Sequence, residues 1–195
     1  MAKLYCRYGS MGSSKSLDLI RSAYNYTERG MEVLVLTPDI NTRDGIGKVA
    51  SRAGLSIDAI PVGNGQSIMG VFMDYIMTYG LGPACILTDE TQFFKPEQID
   101  ELSNIVDQYN IPVICYTLRG DFTGKFFPGS QRLFELADEI EEVPAICWCG
   151  KKARFSARVI DGKVVMNGEQ VMVGGNESYV GLCRKHLKEG RLSYE

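Results

Sequence analysis

Short apolar runs alternate with segments whose apolar residues recur every three or four positions, and this alternation organises the first three quarters of the chain. Residues 3–8, 33–37, 84–88 and 112–116 are runs of strand length, of the kind expected for strands buried on both faces. Between them, Leu17, Ile20 and Tyr24 fall at helical spacing in a segment that runs to about Arg29 and stops at Gly30. Ile68 to Tyr79 repeats the pattern and ends at Gly80. Pro96 opens a third helix with Ile99, Leu102, Ile105, Val106 and Tyr109 on one stripe, and residues 130–137 predict a fourth. Residues 57–62 form a weaker strand candidate, and residues 38–55 read as a long polar loop. Strands alternating with helices predict an α/β class with a parallel sheet covered on both faces. Near Glu142 the alternation gives way to Cys-rich turns and a hairpin with Asp161-Gly162 at its tip. The expected division is therefore residues 1–143 and a small C-terminal domain over 144–195.

Ligands of parallel sheets bind outside the C-terminal ends of the strands, so the turns after the strands matter most. Gly9-Ser10-Met11-Gly12-Ser13-Ser14-Lys15-Ser16 follows the first strand and nearly spells a phosphate-binding loop, with Ser14 in place of the second glycine. Such a loop wraps backbone N–H groups around nucleotide phosphates at a helix start. Its lysine reaches the terminal phosphates, and the hydroxyl after it holds Mg²⁺. A Gly/Ser-rich turn before a helix is also a common structural device, and glycine before the lysine serves where φ is unfavourable for a side chain. Asp89 ends another apolar strand, as the second Mg²⁺-site carboxylate of such proteins does, or as a turn-capping residue does. Glu90 beside it has the chemistry of a general base, or is a loop glutamate. Phe93 and Phe94 suit a wall for a flat ring, or the core. The loop and Asp89-Glu90 are expected to meet at one sheet edge.

With 195 residues, 45% apolar and 23% charged, the chain has the makings of an ordinary globular protein with a substantial core. Its net charge of −3 argues against a nucleic-acid surface. The absence of a long apolar run argues against a membrane span, and the N-terminus shows no signal-peptide pattern, so a cytoplasmic location is expected. Six cysteines divide into Cys6, Cys85 and Cys115 inside strands, and Cys147, Cys149 and Cys183 near the single histidine, His186. Cys147-x-Cys149 and Cys183-x-x-His186 supply four ligands in two close pairs, which reads as a closed, structural tetrahedral zinc site.

Taken together, residues 9–16, Asp89-Glu90-Thr91-Gln92-Phe93, Leu118-Arg119-Gly120-Asp121-Phe122 and the paired cysteine and histidine ligands resemble the zinc-containing thymidine kinases. Cys147-Trp148-Cys149-Gly150-Lys151-Lys152-Ala153, Gly174-Gly175-Asn176-Glu177-Ser178-Tyr179 and Cys183-Arg184-Lys185-His186 are similar to the bacterial and phage members in particular. The resemblance implies a P-loop, RecA-like core and a zinc-binding domain carrying a lasso loop over the nucleoside. The activity it implies is ATP-dependent phosphorylation of the thymidine 5′-hydroxyl, in nucleotide salvage for DNA synthesis. Gly9, Ser10, Met11, Gly12, Ser13, Ser14, Lys15, Ser16, Arg43 and Asp89 would bind Mg²⁺ and ATP, with Arg52 a further source of positive charge. Glu90 would be the catalytic base. Met11, Phe93, Leu118, Phe122, Met172, Gly174 and Tyr179 would line the nucleoside pocket. Members of the family imply a homotetramer and thymidine triphosphate as feedback inhibitor. Two departures concern the phosphate side: Ser14, and Asn41 where many members have an aspartate. They leave open a second reading, a nucleoside- or nucleotide-binding member impaired in phosphoryl transfer. An unrelated phosphate-loop ATPase with a zinc appendage ranks third.

Overall fold

The structure is a computed structural model and describes residues 1–40, 45–170 and 178–193. Its elements begin with β1 (Leu4–Gly9), α1 (Lys15–Thr27), β2 (Val33–Pro38), β3 (Lys48–Ala50), β4 (Ser56–Asp58), β5 (Ile60–Val62) and α2 (Ile68–Tyr79). Then come β6 (Cys85–Thr88), a 3₁₀ turn (Thr91–Phe93), α3 (Pro96–Tyr109), β7 (Val113–Leu118), α4 (Pro128–Leu136) and β8 (Glu139–Glu142). The C-terminal part holds β9 (Phe155–Ile160), β10 (Lys163–Val165), β11 (Ser178–Leu182) and α5 (Arg184–Glu189).

Six strands make one parallel sheet in the order β5-β2-β6-β7-β1-β8. The strands β6 and β7 are buried at every position, as the uninterrupted apolar runs predict. Successive side chains of a strand point to opposite faces, so the sheet feeds two cores. Leu34, Leu36, Ile86, Val113 and Cys115 pack with Ile68, Phe72, Ile99, Leu102 and Ile105 of α2 and α3. On the other side Val35, Leu87, Ile114 and Tyr116 pack with Leu19 and Ala23 of α1. The apolar stripe predicted for α3 is the buried one over Ile99, Leu102, Ile105 and Val106.

Three sequence expectations are corrected. The buried face of α1 runs through Lys15, Leu19, Ser22 and Ala23, whereas Tyr24 is 62% exposed. Lys15 has to face the loop that precedes it, and that requirement sets the rotation of the whole helix. Residues 38–55 are not all loop, because β3 pairs antiparallel with β4 and buries Val49 in the α1-side core. The strand expected at 57–62 is two strands, Ile57 in that hairpin and Ile60–Val62 on the edge of the main sheet. Such three-residue strands are too short to leave a period. Beyond the expected elements, Glu-Ile-Glu-Glu forms β8 on the opposite edge, where charged side chains are the usual protection against unwanted pairing.

In the C-terminal part, β9 is flanked by β10 and β11 in an antiparallel sheet. Asp161 and Gly162 both have positive φ, 49° and 72°, and Ile160 pairs with Lys163. That is the two-residue primed turn their sequence predicts. This sheet is fastened to the loop after β1: Met11 N–H donates to Ser156 Oγ at 3.0 Å, and Ser10 Oγ donates to Ala153 O at 3.2 Å. Gly181 lets the two backbones approach, since a Cβ there would stand 2.8 Å from Met11 O.

Gly129, in the first turn of α4, sits equally tightly against the 3₁₀ turn. A Cβ would lie 2.3 Å from Phe94 O and 2.9 Å from Thr91 O, backbone atoms that cannot swing away. Gly129→Ala is expected to destabilise the protein by about 1–3 kcal/mol, the usual range for overpacking. Urea unfolding checks this, and a midpoint unchanged from the parent would contradict the contact.

Candidate functional site

At the C-terminal end of β1, Gly9 has no room for a side chain, because a Cβ would stand 2.8 Å from both Val143 O and Ser13 Cβ. The chain turns through residues 10–14 and enters α1 at Lys15. Lys15 is 7% exposed, and its Nζ donates to Ser10 O at 3.0 Å and to Ser13 Oγ at 3.4 Å. The lysine thus bridges its own loop and holds it curled. Beside it opens a cleft of ≈ 180 Å³ lined by Gly12, Ser13, Lys15, Ser16, Arg52 and Glu90, among others. Arg52 comes from the turn between β3 and β4, so the unexpected hairpin delivers a second cation to the loop. Burial pushes the Lys15 ammonium below its ordinary pKa, with Glu90 and Asp89 opposing that shift and Arg52 adding to it.

Ser14 keeps the glycine geometry. Its φ and ψ of 61° and 29° are left-handed, so the loop has not rearranged around the serine. Gly12, at φ 78°, shares that conformation without the cost to a side chain.

Across the cleft, the end of β6 contributes Asp89 and Glu90, which meet the loop as expected. Ser16 Oγ donates to Asp89 Oδ2 at 2.8 Å. Asp89 is 3% exposed, and its Oδ1 is buried with no hydrogen-bond partner among the described residues. Burial first, then the adjacent Glu90, pushes its carboxyl up to about 7, against the Ser16 hydrogen bond and Lys15. A buried carboxylate oxygen without a donor, beside a hydroxyl, is a donor set that a hard cation such as Mg²⁺ fits. Glu90 is half-buried at a left-handed φ of 48°, and its carboxylate accepts a hydrogen bond from Gln92 Nε2.

Leu118 and Phe122 are buried near the end of β7, and Met11 is half-buried on the loop. Phe94 belongs to the core, whereas Phe93 is half-buried with its ring edge-on to Phe127 at 5.6 Å. Tyr179 lies on β11, and its OH accepts from Arg158 Nε at 2.9 Å. Arg43, Met172 and Gly174 lie outside the described residues, as does Asn41.

Arg158 was not singled out from the sequence. It is 1% exposed, its guanidinium lies 3.8 Å from the Phe122 ring centroid, and it donates to Glu169 O and Gln170 O at 2.9 and 3.2 Å. One side chain therefore joins Phe122, Tyr179 and the segment leading into residue 171. Its position in an apolar strand was the available signal, since an arginine is rarely fully buried without partners. Ser156, which receives the Met11 N–H, gave no such signal.

Cys147, Cys149, Cys183 and His186 come together, their ligand atoms all within 4.8 Å of one another. His186 Nδ1 stands 3.4 Å from both Cys147 Sγ and Cys183 Sγ, and Cys149 Sγ 4.0 Å from Cys183 Sγ. Tetrahedral Zn–S and Zn–N bonds separate such atoms by roughly 3.4–3.8 Å, so the cluster fits zinc. Trp148 stacks on the His186 ring at 4.0 Å, which fixes the ring plane.

The geometry at Ser14 yields a direct expectation. Left-handed φ costs a residue with a Cβ roughly 1–2 kcal/mol, while glycine costs about 0.5–1 kcal/mol in unfolded-chain entropy. Strain relief wins, and Ser14→Gly should raise the melting temperature of the ligand-free protein by ~2–4 °C. Calorimetry showing a lower value would mean that the serine side chain stabilises the loop.

Comparison with known proteins agrees with this arrangement. A family model described as thymidine kinase matches residues 2–187. The chain is 43% identical to a thymidine kinase of Lactococcus lactis subsp. lactis over 187 residues, covering 95% of this chain and 97% of that one. It is 47% identical to a thymidine kinase of Yersinia pseudotuberculosis over 190 residues, covering 97% and 96%. To one of Legionella pneumophila it is 47% identical over 191 residues, covering 97% and 91%. With a curled Gly/Ser loop facing an Asp-Glu pair, a Cys₃His cluster, and relatives matched almost end to end, the chain belongs to the thymidine kinase family.

Proposed function

We propose that this protein transfers the γ-phosphoryl group of ATP to the 5′-hydroxyl of thymidine, giving thymidine monophosphate and ADP. The observation that carries the reading is the meeting of Ser16 and Asp89 across the cleft at 2.8 Å, with Lys15 and Glu90 lining the same space. Phosphoryl transfer asks a protein for positioning and charge neutralisation rather than covalent chemistry. Gly9, Ser10, Met11, Gly12, Ser13 and Ser14 form the loop that would cradle the phosphates, and Lys15 would neutralise them. Ser16 and Asp89 would hold Mg²⁺, with Asp89 Oδ1 the free oxygen. When bound, that ion neutralises charge on the phosphate oxygens. Arg52, with Arg43 from the neighbouring segment, would add positive charge.

Glu90 would accept the proton of the attacking hydroxyl as its oxygen bonds to phosphorus and the ADP oxygen leaves. Its left-handed backbone is the kind of strain that persists where function needs a fixed side chain. Met11, Phe93, Leu118, Phe122 and Tyr179 would line the nucleoside side, closed by Met172 and Gly174 of a lasso loop. Cys147, Cys149, Cys183 and His186 would hold a structural zinc that anchors the strands carrying Arg158 and Tyr179. The separate apolar cluster of Cys147, Ala153, Ala157 and Leu182 supports a division into residues 1–143 and 144–195. A homotetramer, a cytoplasmic location and thymidine triphosphate as end-product inhibitor complete the proposal, on the family resemblance. Among the described residues no helix is long and apolar enough to cross a membrane. The impaired-binder alternative finds no support: Ser14 holds the left-handed geometry, and the relatives matched end to end are named thymidine kinases.

Incubation with ATP, Mg²⁺ and thymidine should yield thymidine monophosphate. Glu90→Gln should lower kcat by roughly 10²–10⁴-fold, the usual contribution of a general base. A Glu90→Gln enzyme as fast as the parent would remove the glutamate from that role. For the metal, elemental analysis should find about one zinc per chain, and stripping it should lower thermal stability. Metal-free protein with the parent's melting temperature would contradict a structural zinc.

A further inference from the structure

We infer that Gln92 is a positioning residue for the Glu90 carboxylate, and that it ties the proton acceptor to the strand end that forms the nucleoside wall. The inference rests on the proposed role of Glu90 and goes beyond it. Gln92 is 2% exposed at the centre of the 3₁₀ turn. Its Oε1 accepts the Leu118 N–H at 3.0 Å and lies 3.3 Å from Thr117 Oγ1. A backbone N–H can only donate, so this contact fixes which end of the amide is oxygen. The amide nitrogen is therefore left facing Glu90, and it donates to Glu90 Oε2.

The anchor itself is rigid. Ser130 Oγ donates to Leu118 O at 2.8 Å and pairs with Thr117 Oγ1 at 2.9 Å, so both sides of the Leu118 peptide are held. Glu90, by contrast, is half-buried, sits at a strained φ, and borders open cleft. Among the described residues, Gln92 Nε2 is the side-chain donor that holds the Glu90 carboxylate. One amide thus links the turn after β6 to the end of β7 and keeps the carboxylate in register with Leu118. Misplacement of a reacting group by about 1 Å can cost on the order of a hundredfold in rate. A buried glutamine that served only to satisfy Leu118 N–H would give the same stability but no such dependence.

The test is a double-mutant cycle read in kinetics. Gln92→Met removes both the donor to Glu90 and the acceptor for Leu118, while Gln92→Glu keeps the acceptor and sets a second carboxyl against Glu90 in place of the donor. Each is made in the parent and in Glu90→Gln, with thymidine binding followed by calorimetry. In the parent background Gln92→Glu should lower kcat about 10–100-fold while KM for thymidine changes less than threefold. In the Glu90→Gln background the same change should cost less than twofold, because the carboxylate it positions is gone. Gln92→Met should repeat this non-additivity even if its melting temperature falls. Equal losses in both backgrounds, or a parent-like kcat for Gln92→Glu, would overturn the inference while leaving Glu90 in place. A parent-like Glu90→Gln single variant would instead overturn the base assignment, and this inference with it.

Discussion

A buried ammonium is the constraint on which the rest of this structure turns. Lys15 is charged in water and costly to bury, and among the described residues its own loop and the acids across the cleft compensate it. Its Nζ therefore bonds Ser10 O and Ser13 Oγ, which closes the loop into a ring of backbone. The same inward orientation sets the rotation of α1, so that Leu19 and Ala23, rather than Tyr24, meet the sheet. Asp89 and Glu90 must then end β6 within electrostatic reach. Loop shape, helix packing and acid placement are three consequences of one side chain.

The cleft beside Lys15 holds charges of both signs and is partly dry. Asp89 feels burial and Glu90 more than it feels Lys15, and its carboxyl is held near 7 with one oxygen unpartnered. A positive ion at Oδ1 would oppose the burial and the Glu90 charge that push this carboxyl up. The C-terminal part reaches the loop through neutral contacts: Ser156 with Met11, Ala153 with Ser10, and the bare backbone of Gly181. Those contacts couple the proposed zinc-anchored strands to the loop after β1, and through Arg158 to Phe122 and Tyr179.

Much of this was legible in the chain itself. Uninterrupted apolar runs identify β6 and β7 because a strand buried on both faces has no polar alternate positions. Asp161-Gly162 specifies its turn, since few other pairs tolerate two positive φ angles. The phosphate loop, Asp89-Glu90 and the four metal-type ligands stand out because their chemistry restricts both residue type and spacing. Even the cost of Ser14 follows from glycine's conformational freedom, and the structure shows the loop retaining the geometry that incurs it.

Tertiary structure alone decided the rest. Three-residue strands such as β3, β4 and β5 gain their stability from neighbours distant in sequence, so no local period announces them. The glutamate-rich β8 looks like loop because an edge strand is selected against pairing rather than for burial. Arg158 and Gln92 matter through what they touch. A buried guanidinium over Phe122 and an amide between Leu118 and Glu90 are relations across strands, and sequence order does not encode them. The chain on its own determined which chemistry is present and at which strand ends. Packing determined which side chains hold that chemistry in place, because orientation is fixed by contacts that only the folded sheet creates.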